Sequence, residues 1–455
     1  MNSVNLDPDR DAPVAWTRDH AAALRRSDDT VAPVVYPPET DPVSEEVHVW
    51  DTWLLRNRDG SIVTVDGYRV VFSLTAPADM LPGKRHDVAT IRCFYSRDGA
   101  RWHDGGAVFE PDAAFGARQW AGSALYDDGT VYLYYTAAGR ADADELTYEQ
   151  RIAVAAGGRV ETDGDGLRIA GEFDHEVLLE PDGELYERED QYRGMIYTFR
   201  DPWFFEDPAT GRTYLLFEGN TPVPEESDAC GDSAQREFNG SVGIAESPTG
   251  DPTEWDLKPP LLDAVCVNQE LERPHVVVRD GRYYLFFSSH DHTFAPGIDG
   301  FDGLYGFVAD SLRGDYRPLN ETGLVLTNPV NAPYQAYSWL AFGHGDEILV
   351  QSFFNYYDLG DRSLDDVGTL PREEQLAKFG GTLAPTVRLA ADGDRTEVRG
   401  TLSHGRIPVA DEELPLPRYV GGEPTSADDR AGRDGPTGAD DRTGSGRYGA
   451  ASRYY

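Results

Sequence analysis

A turn followed by a short run of apolar and aromatic residues recurs five times along this chain: DGYRVVFSLTA from Asp66, DGTVYLYYTAAG from Asp128, TGRTYLLFEGN from Thr210, DGRYYLFFSSH from Asp280 and GDEILVQSFF from Gly345. Asp-Gly ahead of a β-rich run is a hairpin signal, and runs this short have the length of buried strands. The starts lie roughly 60 to 80 residues apart, and no long stretch with helical periodicity separates them. Repetition at this interval in a turn-rich, all-β chain predicts radially arranged sheets. Five copies predict a five-bladed β-propeller with a central axial pocket. The period is longer than that of WD or kelch repeats, so substantial insertions separate the strands. A β-sandwich joined to a second β domain is the competing arrangement.

Ahead of the first repeat, WTRDHAAALRR at Trp16 to Arg26 reads as one short helix in an N-terminal arm, residues 1–45. The propeller then fills 46–420. From about Gly421 the composition turns to Gly, Ser, Asp and Arg with almost nothing to bury, so 421–455 is expected to be a disordered tail. The chain carries 80 acidic against 41 basic residues, a formal net charge of −39, and Lys84, Lys258 and Lys378 are its only lysines. Self-repulsion of that size is tolerable where concentrated salt screens it, so the surface reads as adapted to high salt. It offers no basic face for phosphates, which argues against nucleic acid as a partner.

No run approaches the roughly 20 apolar residues that span a bilayer, and no membrane association is expected. The opening MNSVNLDPDRDAPVAW is polar, with no apolar signal core. An extracellular protein exported by another route is the expectation, with the cytoplasm left open, and a monomer is expected. Cys93, Cys230 and Cys266 form no CxxC pair, which removes the usual zinc frameworks and leaves at most one disulfide. GxSxG, P-loop and dinucleotide fingerprints are missing, and no cofactor is expected.

Three acidic motifs sit in apolar or aromatic surroundings where a merely solvated charge would be out of place. VHVWDTW sets Asp51 between Trp50 and Trp53; FRDPWFF sets Arg200 and Asp201 ahead of Trp203; NQELERPHVVV sets Glu270, Glu272 and Arg273 ahead of a strand. Each lies upstream of a repeated strand, so a propeller would let all three converge on its axis. Cleavage of a glycosidic bond needs two carboxyl groups, one ionised to attack and one protonated to release the leaving group. Tryptophans supply flat faces for sugar rings, and an arginine beside a carboxylate fixes its orientation. Taken singly, each motif also has a plain structural reading: a strand-end turn at Asp51, a turn at Asp201-Pro202, a buried ion pair at Glu272-Arg273. Their joint occurrence in this order favours chemistry. His290-Asp291-His292 lacks a second ligand cluster and is set aside as a metal site. DGDG at Asp163 lacks the closing Glu of a calcium loop and reads as a hairpin turn.

From about Trp16 to His344 the chain resembles the levansucrases and inulosucrases, sucrose-dependent fructosyltransferases built on a five-bladed β-propeller. The VWD(S/T)W motif of that family is matched at Val49 to Trp53, its RDP motif at Arg200 to Pro202 with the following FE-NT stretch at Phe217 to Thr221, and its ERP motif at Glu272 to Pro274. Its WSGSA segment appears as WAGSA at Trp120 to Ala124. The resemblance implies Asp51 as nucleophile, Asp201 as transition-state stabiliser and Glu272 as general acid/base. It places Trp50, Trp120, Arg200, Glu270, Arg273, His290 and Tyr337 against the substrate. Three departures stand out. Ala121 replaces a serine that helps orient the nucleophile in many members. Gln269 replaces an aspartate ligand of structural calcium in Gram-positive members, so no metal is expected. His290 is nearer the Gram-negative pattern.

The implied reaction is retaining transfer of fructosyl from sucrose to a sugar hydroxyl, building fructan, with transfer to water as side reaction. Sucrose and fructan acceptors are then the partners, without cofactor. A mainly hydrolytic β-fructofuranosidase and a non-catalytic sugar-binding propeller are the alternatives. The usual NDPNG-like and Glu-Cys motifs of the former are missing.

Overall fold

The computed structural model describes residues 12–38, 43–164, 166–195, 197–409 and 412–414. The expected tail at 421–455 lies outside the described residues.

The turns read from the sequence close hairpins as their chemistry requires. Asp66-Gly67, Asp128-Gly129 and Asp280-Gly281 each hold two successive positive φ angles, the geometry of a tight turn matched to strand twist. The strands they join are almost wholly buried, with Phe72, Leu133, Leu216, Phe217, Leu285 and Phe286 at 0–1% exposure. Burial on both faces explains their continuous rather than alternating apolar pattern.

Among the described residues, hydrogen bonding groups the strands into four sheets. The largest has nine strands and contains two antiparallel meanders. One runs through Val47–Arg56, Arg69–Pro77, Thr90–Ser96 and His103–Ala107; the other through Arg118–Asp127, Thr130–Ala138, Gln150–Thr162 and Asp174–Leu179. A parallel pairing of Leu55 and Arg56 with Ala124 and Leu125 joins them. The other sheets begin at Phe199–Glu206, Glu272–Arg279 and Ala336–His344. The first strands of all these meanders pack side by side in a closed ring, from Val47–Arg56 round to Ala336–His344 and back. The chain is therefore an all-β propeller whose innermost strands surround one axis.

Both ends of the described chain brace this ring. Val14–Ala15 adds a parallel edge strand against Leu262 and Asp263. Trp16 buries its ring among Phe287, Phe294, Tyr305 and Phe307 and donates its indole N–H to the Thr322 carbonyl at 3.1 Å. The expected helix is consequently shorter, Arg18–Ala22, capped by Thr17. Trp16 follows the edge strand and donates its backbone N–H to the Asp263 carbonyl at 2.7 Å, and Arg26 extends its guanidinium to the Asn328 carbonyl and the Phe301 ring. At the other end Ile407 donates its N–H to the Gly99 carbonyl, so the last meander is fastened to the first. A disulfide joins Cys230 to Cys266, while Cys93 is a buried thiol. Among the described residues no helix is long and apolar enough to cross a membrane. Gln150–Thr162 pairs antiparallel with Leu167–Ala170, the two strands that flank the DGDG stretch in sequence.

Candidate active site

Every innermost strand carries an irregularity at the same level. The register slips between Trp50 and Trp53, Trp120 and Gly122, Arg200 and Trp203, Glu272 and His275, and Tyr337 and Leu340. Four of these slips hold a non-glycine residue in the left-handed region: Asp51 (φ 48°), Asp201 (φ 60°), Arg273 (φ 51°) and Ser338 (φ 58°). At the fifth, a Cβ on Gly122 would fall 1.9 Å from the Tyr134 carbonyl oxygen, so only glycine fits. Left-handed conformations cost about 1 kcal/mol or more each for such residues, and bulges re-aim the side chains around them. Repeated at one level of a ring, they gather otherwise distant acidic and basic groups at the axis.

Arg200 ties the carboxylates together. Its Nε donates to Glu218 at 2.7 Å, and its Nη2 donates to Glu270 at 3.0 Å and Glu272 at 3.1 Å. Burial opposes its charge, but Glu218, Glu270, Glu272 and Asp201 together hold its pKa well above the usual arginine value. Glu272 also accepts a hydrogen bond from the Tyr337 hydroxyl. Burial, then the neighbouring Glu270 and Asp201 charges, push Glu272 up to about 8 against the pull of Arg200 and Tyr337. It is therefore protonated at neutral pH, the state a general acid needs.

Arg273 serves the opposite side. Its backbone N–H donates to Asp201 at 3.1 Å, while its guanidinium donates to the Thr52 carbonyl at 2.7 Å and to the Ser338 hydroxyl at 2.6 Å. Asp51 and Asp201 both act electrostatically on this guanidinium, although burial is the stronger influence and lowers its pKa. Burial lifts Asp201 to about 6, with Arg200 opposing and Asp51 reinforcing the rise. Ala121 contributes only its backbone oxygen. That oxygen accepts from the Thr136 hydroxyl at 3.1 Å, and the same hydroxyl receives the Asp201 N–H at 2.9 Å.

Trp50 and Trp120 flank His86, which lies in the short 3₁₀ turn Pro82–Val88. The Trp120 indole donates to the His86 carbonyl at 3.1 Å. Burial, reinforced by the positive charges of Arg85, Arg200 and Arg118, keeps His86 far below the ordinary histidine range and neutral. His290 is buried, bonds Asp302 through Nδ1 at 3.2 Å and stacks on Tyr337 with ring centres 3.6 Å apart. The structure thus brings the three carboxylates, Arg200, Glu270, Arg273, His290 and Tyr337 into one linked cluster, with the two tryptophans beside His86.

Glu218, His86, Ser338, Thr136 and Asp302 join this cluster without having been singled out from the sequence. Only Glu218 had a signal, as part of the matched FE-NT stretch. Gln269 is buried and its side-chain oxygen accepts the Met195 N–H at 2.7 Å, so that position serves as a loop clamp. Among the described residues no three His, Cys, Asp or Glu side chains gather into a metal-binding group.

Comparison with known proteins places this geometry among relatives. Residues 6–408 match the family described as Levansucrase/Invertase. A levansucrase of Rahnella aquatilis is 35% identical over 427 residues, covering 87% of this chain and 96% of that protein. The solved structure of an inulosucrase from Halalkalicoccus jeotgali bound to kestose is 70% identical, with a TM-score of 0.87 over 89% of this chain and 99% of that one. A β-fructofuranosidase catalytic domain from Microbacterium saccharophilum K-1 is 31% identical, with a TM-score of 0.75 over 90% and 96% of the two chains.

Proposed function

The chain belongs to the levansucrase/invertase family, and from that premise we propose that its axial pocket cleaves sucrose by double displacement through a fructosyl-Asp51 intermediate. It is a sucrose-dependent fructosyltransferase, with levansucrase and inulosucrase as its relatives. The convergence of Asp51, Asp201 and Glu272 at the bulged level of the inner ring carries the mechanistic reading.

In the first step an Asp51 oxygen forms a bond to the fructosyl C2 while the bond from C2 to the glucosyl oxygen breaks. The electron pair leaves on that oxygen, and Glu272 supplies its proton. Asp201, held by the Arg273 N–H, accepts hydrogen bonds from fructosyl hydroxyls and favours the positive charge that develops on the ring. Glu272 is now an anion between Arg200 and Tyr337, able to take the proton of an incoming hydroxyl. That oxygen bonds to C2 and the Asp51 carboxylate departs. A sugar acceptor lengthens a chain; water gives free fructose, the outcome for which the β-fructofuranosidase relative is named.

The identity to an inulosucrase supports β-2,1 linkage as the main product. Work outside the cell as a monomer completes the proposal, and a relative named extracellular sucrase, from Zymomonas mobilis and 34% identical, supports the location. Incubation with sucrose alone, followed by glucose assay and linkage analysis, tests the whole. Asp51→Ala and Glu272→Gln should each reduce glucose release at least a hundredfold with circular dichroism unchanged, since each removes an obligatory half of the mechanism. More than about a tenth of wild-type turnover in either variant would refute the assignment.

A further inference from the structure

We propose that His292, with Asp291, forms an outer acceptor subsite on which the second sugar of a growing oligosaccharide rests. The inference rests on the transferase reading above. Its first support is a row of three flat rings leading outward from the acid/base. Tyr337 donates its hydroxyl to Glu272. Its ring lies 3.6 Å from that of His290, at 13° between planes, and His290 lies 5.0 Å from His292, at 27°. The first two rings are buried, whereas the His292 and Asp291 side chains are 47% and 48% exposed. The row therefore ends at solvent with a face and a polar edge turned to whatever approaches Glu272 from that side.

The turn bearing the exposed end is also rigid. Asp291 donates its N–H to Asp302, the carboxylate that holds His290. Thr293 accepts the Gln269 N–H at its carbonyl, and its hydroxyl donates to the Asn268 side chain. Asn268 is fully buried, and its amide donates to Ser289 at 2.8 Å. The His-Asp-His turn is thus bolted to the segment that carries Glu270 and Glu272, two to four residues further on. A histidine on a loose loop would offer a sugar little, because ordering it would cancel the gain. Here the ring is preorganised, tethered to the Asp291 carboxylate at 3.5 Å.

An imidazole and a carboxylate at a rim suit a hydroxyl-rich ligand: the ring face contacts C–H groups, the carboxylate accepts from hydroxyls and the second ring nitrogen serves another. Sucrose needs only the inner pocket to be cleaved. A trisaccharide acceptor extends past it, so the rim bears on chain growth more than on cleavage.

The test compares wild type, His292→Leu and His292→Gln with sucrose alone and with added fructosyl trisaccharide. For His292→Leu the ratio of longer products to trisaccharide should fall at least about threefold, and the acceptor concentration for half-maximal transfer should rise by a similar factor. The KM for sucrose in glucose release should move less. His292→Gln, which keeps a hydrogen-bonding amide, should lie between the two and serves as the test if His292→Leu fails to fold. An unchanged product profile and acceptor half-saturation in the folded variant would overturn the proposal while leaving the transferase reading intact. Absence of glucose release by wild type would instead overturn both.

Discussion

Replacing Glu270 by glutamine should move the alkaline limb of activity toward acid by about one pH unit. Glu270 and Glu272 accept from the same Nη2 of Arg200, at 3.0 and 3.1 Å, inside a buried cluster. Burial is the first reason that Glu272 titrates at about 8, and the Glu270 charge is the second. At a separation of ~5 Å and an effective dielectric of about 20, one unit charge acts on another with ~3 kcal/mol, or ~2 pH units. Arg200 stands between the two and cancels part of this, leaving about one unit. Glutamine removes the like charge and frees Arg200 to favour ionised Glu272, so both consequences lower its pKa. The first chemical step needs the protonated form, so kcat/KM for glucose release should fall above about pH 7 in the variant rather than above about 8. The height of the profile will drop as well if Glu270 touches sucrose; the position of the limb is the diagnostic quantity. Because the pair is buried, the displacement should survive 1 M sodium chloride, where exposed charges are screened within about 3 Å. A limb that stays in place, or moves toward alkali, would refute the account of how Glu272 is kept protonated.

Two further outcomes concern stability. The melting temperature should rise as sodium chloride increases into the molar range, because screening relieves repulsion within a net charge of −39; a melting temperature independent of salt would defeat the high-salt reading of the surface. The Cys230–Cys266 bridge closes a 36-residue span, and loop entropy of that size corresponds to about 4 kcal/mol. Cys230→Ser should therefore lower the melting temperature measurably, and equal values with and without the bridge would show that it adds no stability.

The repeats were legible because turn chemistry is local: Asp-Gly sets two positive φ angles wherever it stands, and the buried runs beside it need no partner to be recognised. The bulges were half legible. Pro202 and Pro274 fall inside innermost strands, where proline is tolerated only if the ladder is already broken. RDP and ERP therefore record in sequence the irregularity that turns Asp201 and Arg273 toward the axis. Asp51 and Ser338 have no such mark, and WDTW had to be found by its aromatics. Glu218 and Asp302 could not be found in this way. Glu218 closes the apolar run TYLLFEGN and Asp302 lies in the turn-like stretch IDGFDG, and the burial of each against Arg200 or His290 depends on which strands of distant sequence the ring makes neighbours. His86 is harder still, since its place between Trp50 and Trp120 follows from the fold of a 3₁₀ turn rather than from any pattern. Asp201 and Arg273, two of the groups proposed to act at the axis, were thus readable because their backbone had to be special. The groups that tune them are conventional residues made unusual by burial, and Glu272, with an unremarkable neighbour in Glu270, becomes an acid at neutral pH only once the ring has closed around both.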